Sequence, residues 1–214
     1  MSNLIGTSTE GNVQIKANPV TGALYTEQLT SGGGAASTVL GAGEAHIGEV
    51  AGNIAVIAVE ETRPADTTAY TIGDVVSNNT TTTVLMQFAN IFRVAGGTGY
   101  IVGIKIATDK KSITPRLRIH LFNASNPTVA ADNAAFKEVY ADSAKRLTYY
   151  DMPAMTTATD TTNSDMSRTF DMTCRIPVKA AAGSRDLFIS KETLDAFTPA
   201  SGQKFSVTLY LDNN

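Results

Sequence analysis

The chain has 214 residues, of which 43% are hydrophobic and 17% are charged, and its formal net charge is −3. This length is sufficient to bury a substantial core, and all-β folds of this size often form a single domain. The small negative charge gives neither the basic surface of a nucleic-acid-binding protein nor a polybasic membrane patch. We therefore expect no nucleic-acid partner and no membrane partner.

Targeting signals are not recognised in the sequence. Residues 1–6 lack the basic and apolar regions of a signal peptide, and the clearest apolar run, residues 54–59, is far shorter than the roughly 20 residues that span a bilayer. The single cysteine, Cys174, excludes an intrachain disulfide. Because Cys174 lies in an alternating apolar segment, we expect its thiol to be buried.

Residues 1–43 differ in composition from the rest of the chain. They are rich in Gly, Ser, Thr and Asn, and residues 31–36 have the composition of a flexible linker. Two short strand candidates flank a turn at residues 18–22, and their apolar residues include Val13, Ile15, Leu24 and Tyr25. So few apolar residues cannot offset the entropy of ordering, so we expect an extended arm that becomes ordered against a neighbouring subunit. A tail without a binding role is the alternative.

Residues 44–214 are predicted to form one β-rich domain. Residues 54–59 lack polar alternation, which is typical of a strand covered on both faces. Further strand candidates cover residues 74–77, 84–88, 100–106, 115–122, 147–152, 170–178, 185–190 and 204–211. Strands at short intervals without a long amphipathic helix favour an all-β fold, a β-sandwich or jelly-roll-like domain with an extended N-terminal arm.

Two short helical segments are expected within this β-rich pattern. Residues 129–139 contain many alanines, and Asp132 suits the first turn of a helix. Residues 192–197 are predicted to form one helical turn.

Residues 100–122 are predicted to form a hairpin at the centre of the sandwich. Side chains alternate along a strand with period two, so each arm is expected to bury one face. The residues expected on the buried faces are Tyr100, Val102, Ile104 and Ile106 in the first arm and Leu117, Ile119 and Leu121 in the second. Phe205 and Val207 of the last strand are expected to join this core.

The opposite face of the second arm carries positive charge. Arg116 and Arg118, with Lys105 across the hairpin, would form a basic stripe that meets an acidic partner surface or a carbohydrate, and an ordinary polar sheet face is the alternative. His120 follows the same alternation and is expected to be partly exposed. Of Tyr149 and Tyr150, one ring is expected inside the domain and one outside.

No catalytic, metal-binding or cofactor-binding motif is recognised. Residues 96–99, Gly-Gly-Thr-Gly, precede a strand and lack the Lys-Ser/Thr ending of a phosphate-binding loop, so they indicate a turn. The two histidines, His46 and His120, lack partners at zinc-ligand spacing. We therefore expect a protein that is not an enzyme and holds no cofactor.

Two stretches follow one another in a recognisable order. The first contains His46-Ile47-Gly48, the apolar run, Ala69-Tyr70 and Gly73-Asp74-Val75-Val76; the second is residues 117–123, followed by Pro127 and residues 131–136. In this order the chain resembles a group of tailed-bacteriophage virion proteins of the head-decoration, or capsid cement, kind. The likeness covers roughly residues 44–140 and includes no catalytic motif.

The resemblance implies a structural protein of the virion, made in the host cytoplasm and placed on the outside of the capsid. Its partners would be the major capsid protein and further copies of itself, and a trimer is preferred because local three-fold positions are common docking points on capsids. The residues expected to contact these partners are Val13, Ile15, Leu24, Tyr25, Arg116 and Arg118. The alternative function is a tail, fibre or adsorption protein whose sandwich binds a host-surface glycan.

Overall fold

The computed structural model describes residues 54–82, 84–158 and 162–213, and the backbone alone of residues 13–17 and 24–28. The chain divides into two compact units, Met1–Val50 and Ala51–Asn214. In the first unit, β1 (Val13–Ala17) and β2 (Leu24–Gln28) form an antiparallel pair. The predicted linker at residues 31–36 lies outside the described residues.

The second unit is a β-sandwich of two antiparallel sheets. Its strands are, in chain order, β3 (Ile54–Thr62), β4 (Val75–Val76), β5 (Met86–Phe88), β6 (Thr98–Thr108), β7 (Leu117–Phe122), β8 (Arg146–Asp151), β9 (Thr156–Thr157), β10 (Ser167–Asp171), β11 (Ile176–Lys179), β12 (Leu187–Thr193) and β13 (Lys204–Asn213). The predicted all-β, sandwich or jelly-roll-like fold class is thereby confirmed.

The strand order separates the two sheets clearly. The six-stranded sheet has the order β3-β13-β6-β10-β9, with β11 paired to the other part of β6. The five-stranded sheet has the order β4-β12-β7-β8, with β5 also paired to β12. One 3₁₀ turn, Tyr140–Asp142, is the helical element of the described residues, and no helix in this part of the chain is long and apolar enough to cross a membrane.

The predicted hairpin at residues 100–122 is wrong. β6 belongs to the six-stranded sheet and β7 to the five-stranded sheet, so the chain passes from one layer to the other between them. Alternation with period two is the same for two strands that pair and for two strands that face each other across a core, which is why the sequence did not distinguish the two arrangements. Lys105 therefore lies in a different sheet from Arg118 and from the start of β7, which Arg116 directly precedes, and the predicted three-residue basic stripe does not form.

The core lies between the two sheets and contains most of the predicted residues. Leu117, Ile119, Phe205 and Val207 are at most 1% exposed, and Cys174 is buried, as predicted. Further buried side chains on the inner faces are Ile101, Ile104, Ile106, Leu121, Leu187, Ile189, Leu209 and Leu211. Burying one such side chain stabilises the fold by roughly 1.5–3 kcal/mol, so these residues supply the main favourable term.

A β-bulge in β6 changes which of its residues face the core. Tyr210 pairs with Gly103, whereas the next residue of β13 pairs with Ile101, so Val102 is an extra residue in β6. Ile101 is buried, whereas Tyr100 and Val102 are half-buried. The prediction that Tyr100 and Val102 join the core is wrong, because strict alternation does not anticipate an inserted residue.

The predicted helix at residues 129–139 is absent, because Asp132 is fixed by distant groups. Its carboxylate accepts hydrogen bonds from the hydroxyl of Tyr70 (2.6 Å), the amide of Ser77 (2.8 Å) and Nη2 of Arg63 (3.0 Å). The next residue, Asn133, has a φ of 56°, in the left-handed region that ends a right-handed helix. These bonds outweigh the helix propensity of the alanines.

Two further boundaries differ from the sequence expectation. The predicted strand at residues 170–178 is divided into β10 and β11, since residues 172–175 do not pair as a strand. The predicted helical turn at residues 192–197 is wrong, because Glu192 and Thr193 complete β12 against β7. Pairing with a neighbouring strand, which local propensity does not report, decides both cases.

A buried ion pair connects the two sheets. Lys191 of β12 faces the core and is 1% exposed, and its Nζ lies 3.0 Å from Oε1 of Glu61 in β3. The same Nζ is 3.1 Å from the sulfur of Met86. Because a buried charge without its partner is far more costly than the pair itself, this contact constrains how β3 and β12 align.

Replacing Glu61 tests how much the ion pair with Lys191 contributes to stability. Glu61→Gln leaves the charge of Lys191 buried without its counter-ion, so the free energy of unfolding should fall by about 3–5 kcal/mol in urea denaturation. The double variant Glu61→Leu/Lys191→Met should recover most of that loss, because both charges are gone. Glu60→Gln is the matched control: Glu60 forms an exposed pair with Lys204, so its loss should cost less than about 1 kcal/mol. A double variant as unstable as Glu61→Gln would contradict this account.

Candidate interaction surface

The outer face of the five-stranded sheet is covered by residues 123–139. Phe122 and Phe188 on this face pack with Val129 and Ala130 of the covering segment. The segment is held to the sheet by backbone hydrogen bonds, including one from the amide of Val75 to the carbonyl of residue 134 (2.9 Å). This part of the sheet is therefore buried on both faces.

His120 is buried under this cover, contrary to the expected partial exposure. Its ring stacks on Phe136 with 3.8 Å between centroids and 7° between planes. Nδ1 accepts a hydrogen bond from Nη2 of Arg146 (2.8 Å), so the ring proton lies on Nε2, which donates to Oε2 of Glu192 (2.7 Å). Burial, with the positive charges of Arg146 and Arg118, lowers the pKa of His120 to about 3, and burial raises the pKa of Glu192. His120 is thus a neutral structural link.

Arg116 and Arg118, both predicted to contact a partner, are engaged within the domain. Nε and Nη2 of Arg118 donate to the two carboxylate oxygens of Asp151 at 2.6 and 3.0 Å, and Nη2 of Arg116 donates to Asp195 at 2.7 Å. These hydrogen bonds lower the pKa of both carboxyl groups. Arg118 also lies over the ring of Tyr149, 4.4 Å from its centroid. The partner role of the two arginines remains a prediction.

The other four predicted contact residues lie in the N-terminal strand pair. Val13 and Ile15 belong to β1, and Leu24 and Tyr25 belong to β2. In the backbone register, Val13 is opposite Gln28 and Leu24 is opposite Ala17. Their side chains lie outside the described residues, so their partner role also remains a prediction.

The outer face of the six-stranded sheet exposes apolar side chains. β3 alternates between exposed and half-buried residues up to Glu60, with Ile54 54% and Val56 55% exposed. The expectation that residues 54–59 are covered on both faces is wrong for the part of the chain that the structure describes, because only the inner face packs on the core. The register places Val56 beside Tyr210, and Tyr210 beside Gly103 of β6.

Met172 continues this apolar row across the sheet. A Cβ atom at Gly103 would lie 2.6 Å from the sulfur of Met172 and 3.1 Å from the ring of Tyr210, so the missing side chain at Gly103 is what lets Met172 lie there. Phe170 is opposite Lys105 in the neighbouring row. Met172 is 51% and Phe170 61% exposed. We call Ile54, Val56, Tyr210, Met172 and Phe170 the apolar face.

Sequence reasoning missed the apolar face because it treated residues 170–178 as a single strand. Phe170 and Met172 share the parity of Cys174, Ile176 and Val178, which are buried, so one continuous strand would place all five inward. The break between β10 and β11 separates the exposed pair from the buried three. A usable signal was present in residues 54–59, because apolar residues at both parities require cover on both faces.

A cavity of about 290 Å³ lies beside the covering segment. Its walls include Phe122, Pro127, Phe136 and Leu147, and its polar groups include Thr128 and Asp142. Tyr140 borders the cavity and is 94% exposed. An exposed aromatic ring beside polar groups is an arrangement that suits a sugar ring, because one end of the site is apolar and the other is wet.

The buried state of His120 should make stability depend on pH. Below the ordinary histidine pKa of 6.5 the unfolded chain takes up a proton that the folded protein does not, so the free energy of unfolding falls as the pH is lowered toward the folded value of about 3. Between pH 6.5 and 4.5 this loss should be about 2 kcal/mol. The raised pKa of Glu192 acts in the opposite direction, and His120→Gln retains Glu192. Urea denaturation of both proteins should show the extra loss only with His120; parallel pH profiles would contradict the assignment.

No protein-family model matches the chain, and no curated protein matches it. Among solved structures, the chain is similar to a chain from the full particle of Israeli acute paralysis virus heated to 63 degrees, with 15% identity over 98% of this chain and 88% of that chain and a TM-score of 0.34. It is also similar to a chain from the native virion of Kashmir bee virus at acidic pH, with 8% identity over 100% and 94% and a TM-score of 0.28. Both structures are virus particles, and at these TM-scores neither likeness supports a conclusion about this chain.

Proposed function

We propose that the protein is a structural protein of a phage virion that binds the outside of the capsid and reinforces the contacts between capsid subunits. The observation that carries the proposal is the apolar face. Five large side chains on the outer face of the six-stranded sheet, from β3, β13 and β10 and from Met172 directly after β10, leave apolar area in water, and contiguous exposed patches of this kind mark protein–protein contact sites. Covering such a surface stabilises a complex by roughly 25 cal/mol per Å² before the costs of association.

The charged groups near His120 support binding more than catalysis. Both ring nitrogens of His120 are occupied, and Phe136 covers the ring, so no proton can be exchanged with a substrate there without moving the covering segment. Arg116 and Arg118 are neutralised by Asp195 and Asp151. A sheet face fixed in this way is a rigid support, and a rigid domain loses little entropy when it docks.

The mechanism of reinforcement is repetition. The major capsid protein is the proposed partner of the apolar face, and each copy contributes a modest contact that the symmetry of the shell repeats many times. A trimer at local three-fold positions and a contact from the N-terminal arm, through Val13, Ile15, Leu24 and Tyr25, complete the proposal. The trimer rests on the resemblance of the sequence to head-decoration proteins, and the arm contact rests on the composition of residues 1–43.

Charged substitutions on the apolar face test the proposal. Phe170→Lys/Met172→Lys should weaken binding to undecorated capsids at least about tenfold, because two lysines would have to be desolvated at the contact. The binding is measured by co-sedimentation with capsids. Tyr140→Lys is the matched control, since Tyr140 is fully exposed and lies outside the apolar face. Unchanged binding of the double variant, or location of the protein at the tail in a few copies per particle, would contradict the capsid role.

A second candidate function is recognition of a host-surface glycan, which the cavity beside Tyr140 favours. Tyr140→Ala should then reduce binding to purified host-envelope polysaccharide at least about tenfold, because a sugar ring loses its stacking surface when the aromatic side chain is removed. Phe170→Lys is the control on the other sheet and should bind the polysaccharide normally. Isothermal titration with no detectable heat for the unmodified protein would exclude this function for the saccharides tested.

A further inference from the structure

We propose that β3 pairs with β3 of a second copy of the chain around a two-fold axis, which joins two six-stranded sheets edge to edge. This contact goes beyond the proposed function, because it rests on the edge strand β3 and not on the apolar face.

Most edge strands of the described sheets are protected against such pairing. β4, β5 and β9 have two, three and two residues, so they offer few backbone groups. β11 contains Pro177, and β8 carries Arg146 and Asp151, which form ion pairs with Glu138 and Arg118. Short length, proline and charge are the usual devices that prevent edge-to-edge association.

β3 lacks these devices over most of its length. It has nine residues, and its first six, residues 54–59, contain neither a charge nor a proline. On one side it pairs with β13 continuously, from Ile54 opposite Asp212 to Thr62 opposite Lys204. On its other side, the described residues provide no strand partner, so every second residue directs its backbone N–H and C=O outward. A long, uncharged edge of this kind is a template for another strand.

The charges of β3 determine how a second copy would pair. Glu60 and Glu61 both lie near the end of the strand, so a parallel, in-register pair would place like charges opposite each other. An antiparallel pair centred on Ala58 uses all nine residues, with Ile54 opposite Thr62 and Val56 opposite Glu60. No two carboxylates are opposite each other in this register, and Glu60 keeps its ion pair with Lys204.

Pairing with a second copy also extends the apolar face, which borders this edge through Ile54 and Val56. Residues directly opposite each other share a face of the sheet, so pairing through Ala58 places Val56 of both copies on the same side and joins their apolar faces into one. The net charge of −3 opposes self-association only weakly. A two-fold contact uses the same edge of both copies and therefore closes without further growth.

Cysteine cross-linking tests the pair and its register. In a Cys174→Ala background, Ala58→Cys should form a disulfide-linked dimer on mild oxidation, because residues opposite each other at the axis have Cβ atoms about 4.5–5.5 Å apart. Val56→Cys should cross-link far less, since its opposite residue is Glu60. Phe170→Cys is the matched control, because Phe170 is also exposed and lies on the same outer face, but in β10, away from the β3 edge. Equal cross-linking of Ala58→Cys and Phe170→Cys would overturn the inference.

Sedimentation velocity of the isolated, full-length protein provides the second measurement. The unmodified chain should form a dimer, and Ala58→Lys should raise its dissociation constant at least about tenfold, because two lysines meet at the axis. Phe170→Lys should leave the dimer intact. A monomeric unmodified chain, or an Ala58→Lys variant that dimerises as well as the unmodified chain, would overturn the two-fold pair. Neither result bears on capsid binding by Phe170 and Met172, so the two proposals can fail separately.

Discussion

A β-strand has two faces, and a sandwich buries only one face of each sheet between its layers. The two sheets of this domain meet that constraint differently. The five-stranded sheet is covered on its second face by residues 123–139, which bring Phe136 onto His120. The six-stranded sheet leaves the apolar face open in the described part of the chain. The two sheets therefore differ in how far the described residues cover their outer faces.

The two layers are aligned by polar contacts as well as by apolar packing. Leucine and isoleucine side chains tolerate small shifts between sheets, whereas the pair of Lys191 and Glu61 requires one arrangement because either charge alone is costly in the core. The cluster around Asp132 has the same effect on the covering segment, since it ties that segment to Arg63 and Tyr70. Polar groups thus specify an arrangement that hydrophobic burial stabilises.

Period-two alternation was sufficient to predict the fold class and much of the core, including Leu117 and Phe205. It was insufficient wherever the outcome depended on distant residues. Whether β6 and β7 pair or face each other depends on the competing partner strands β13 and β12. The bulge at Val102 depends on the register with β13. The burial of His120 depends on Phe136, sixteen positions away in a segment with no periodic pattern. The apolar face was missed for the same reason, because the exposure of a strand residue depends on whether distant residues pack on it.

The position of Met172 has a consequence for the chemistry of the surface. Its sulfur lies over Gly103 in the middle of the apolar face, and half of the residue is accessible to solvent. Oxidants convert an accessible thioether to a sulfoxide, which is polar and chiral. One oxygen atom at this site would interrupt the row between Tyr210 and Phe170. Oxidation of Met172 would therefore make this side of the sandwich more polar and better hydrated.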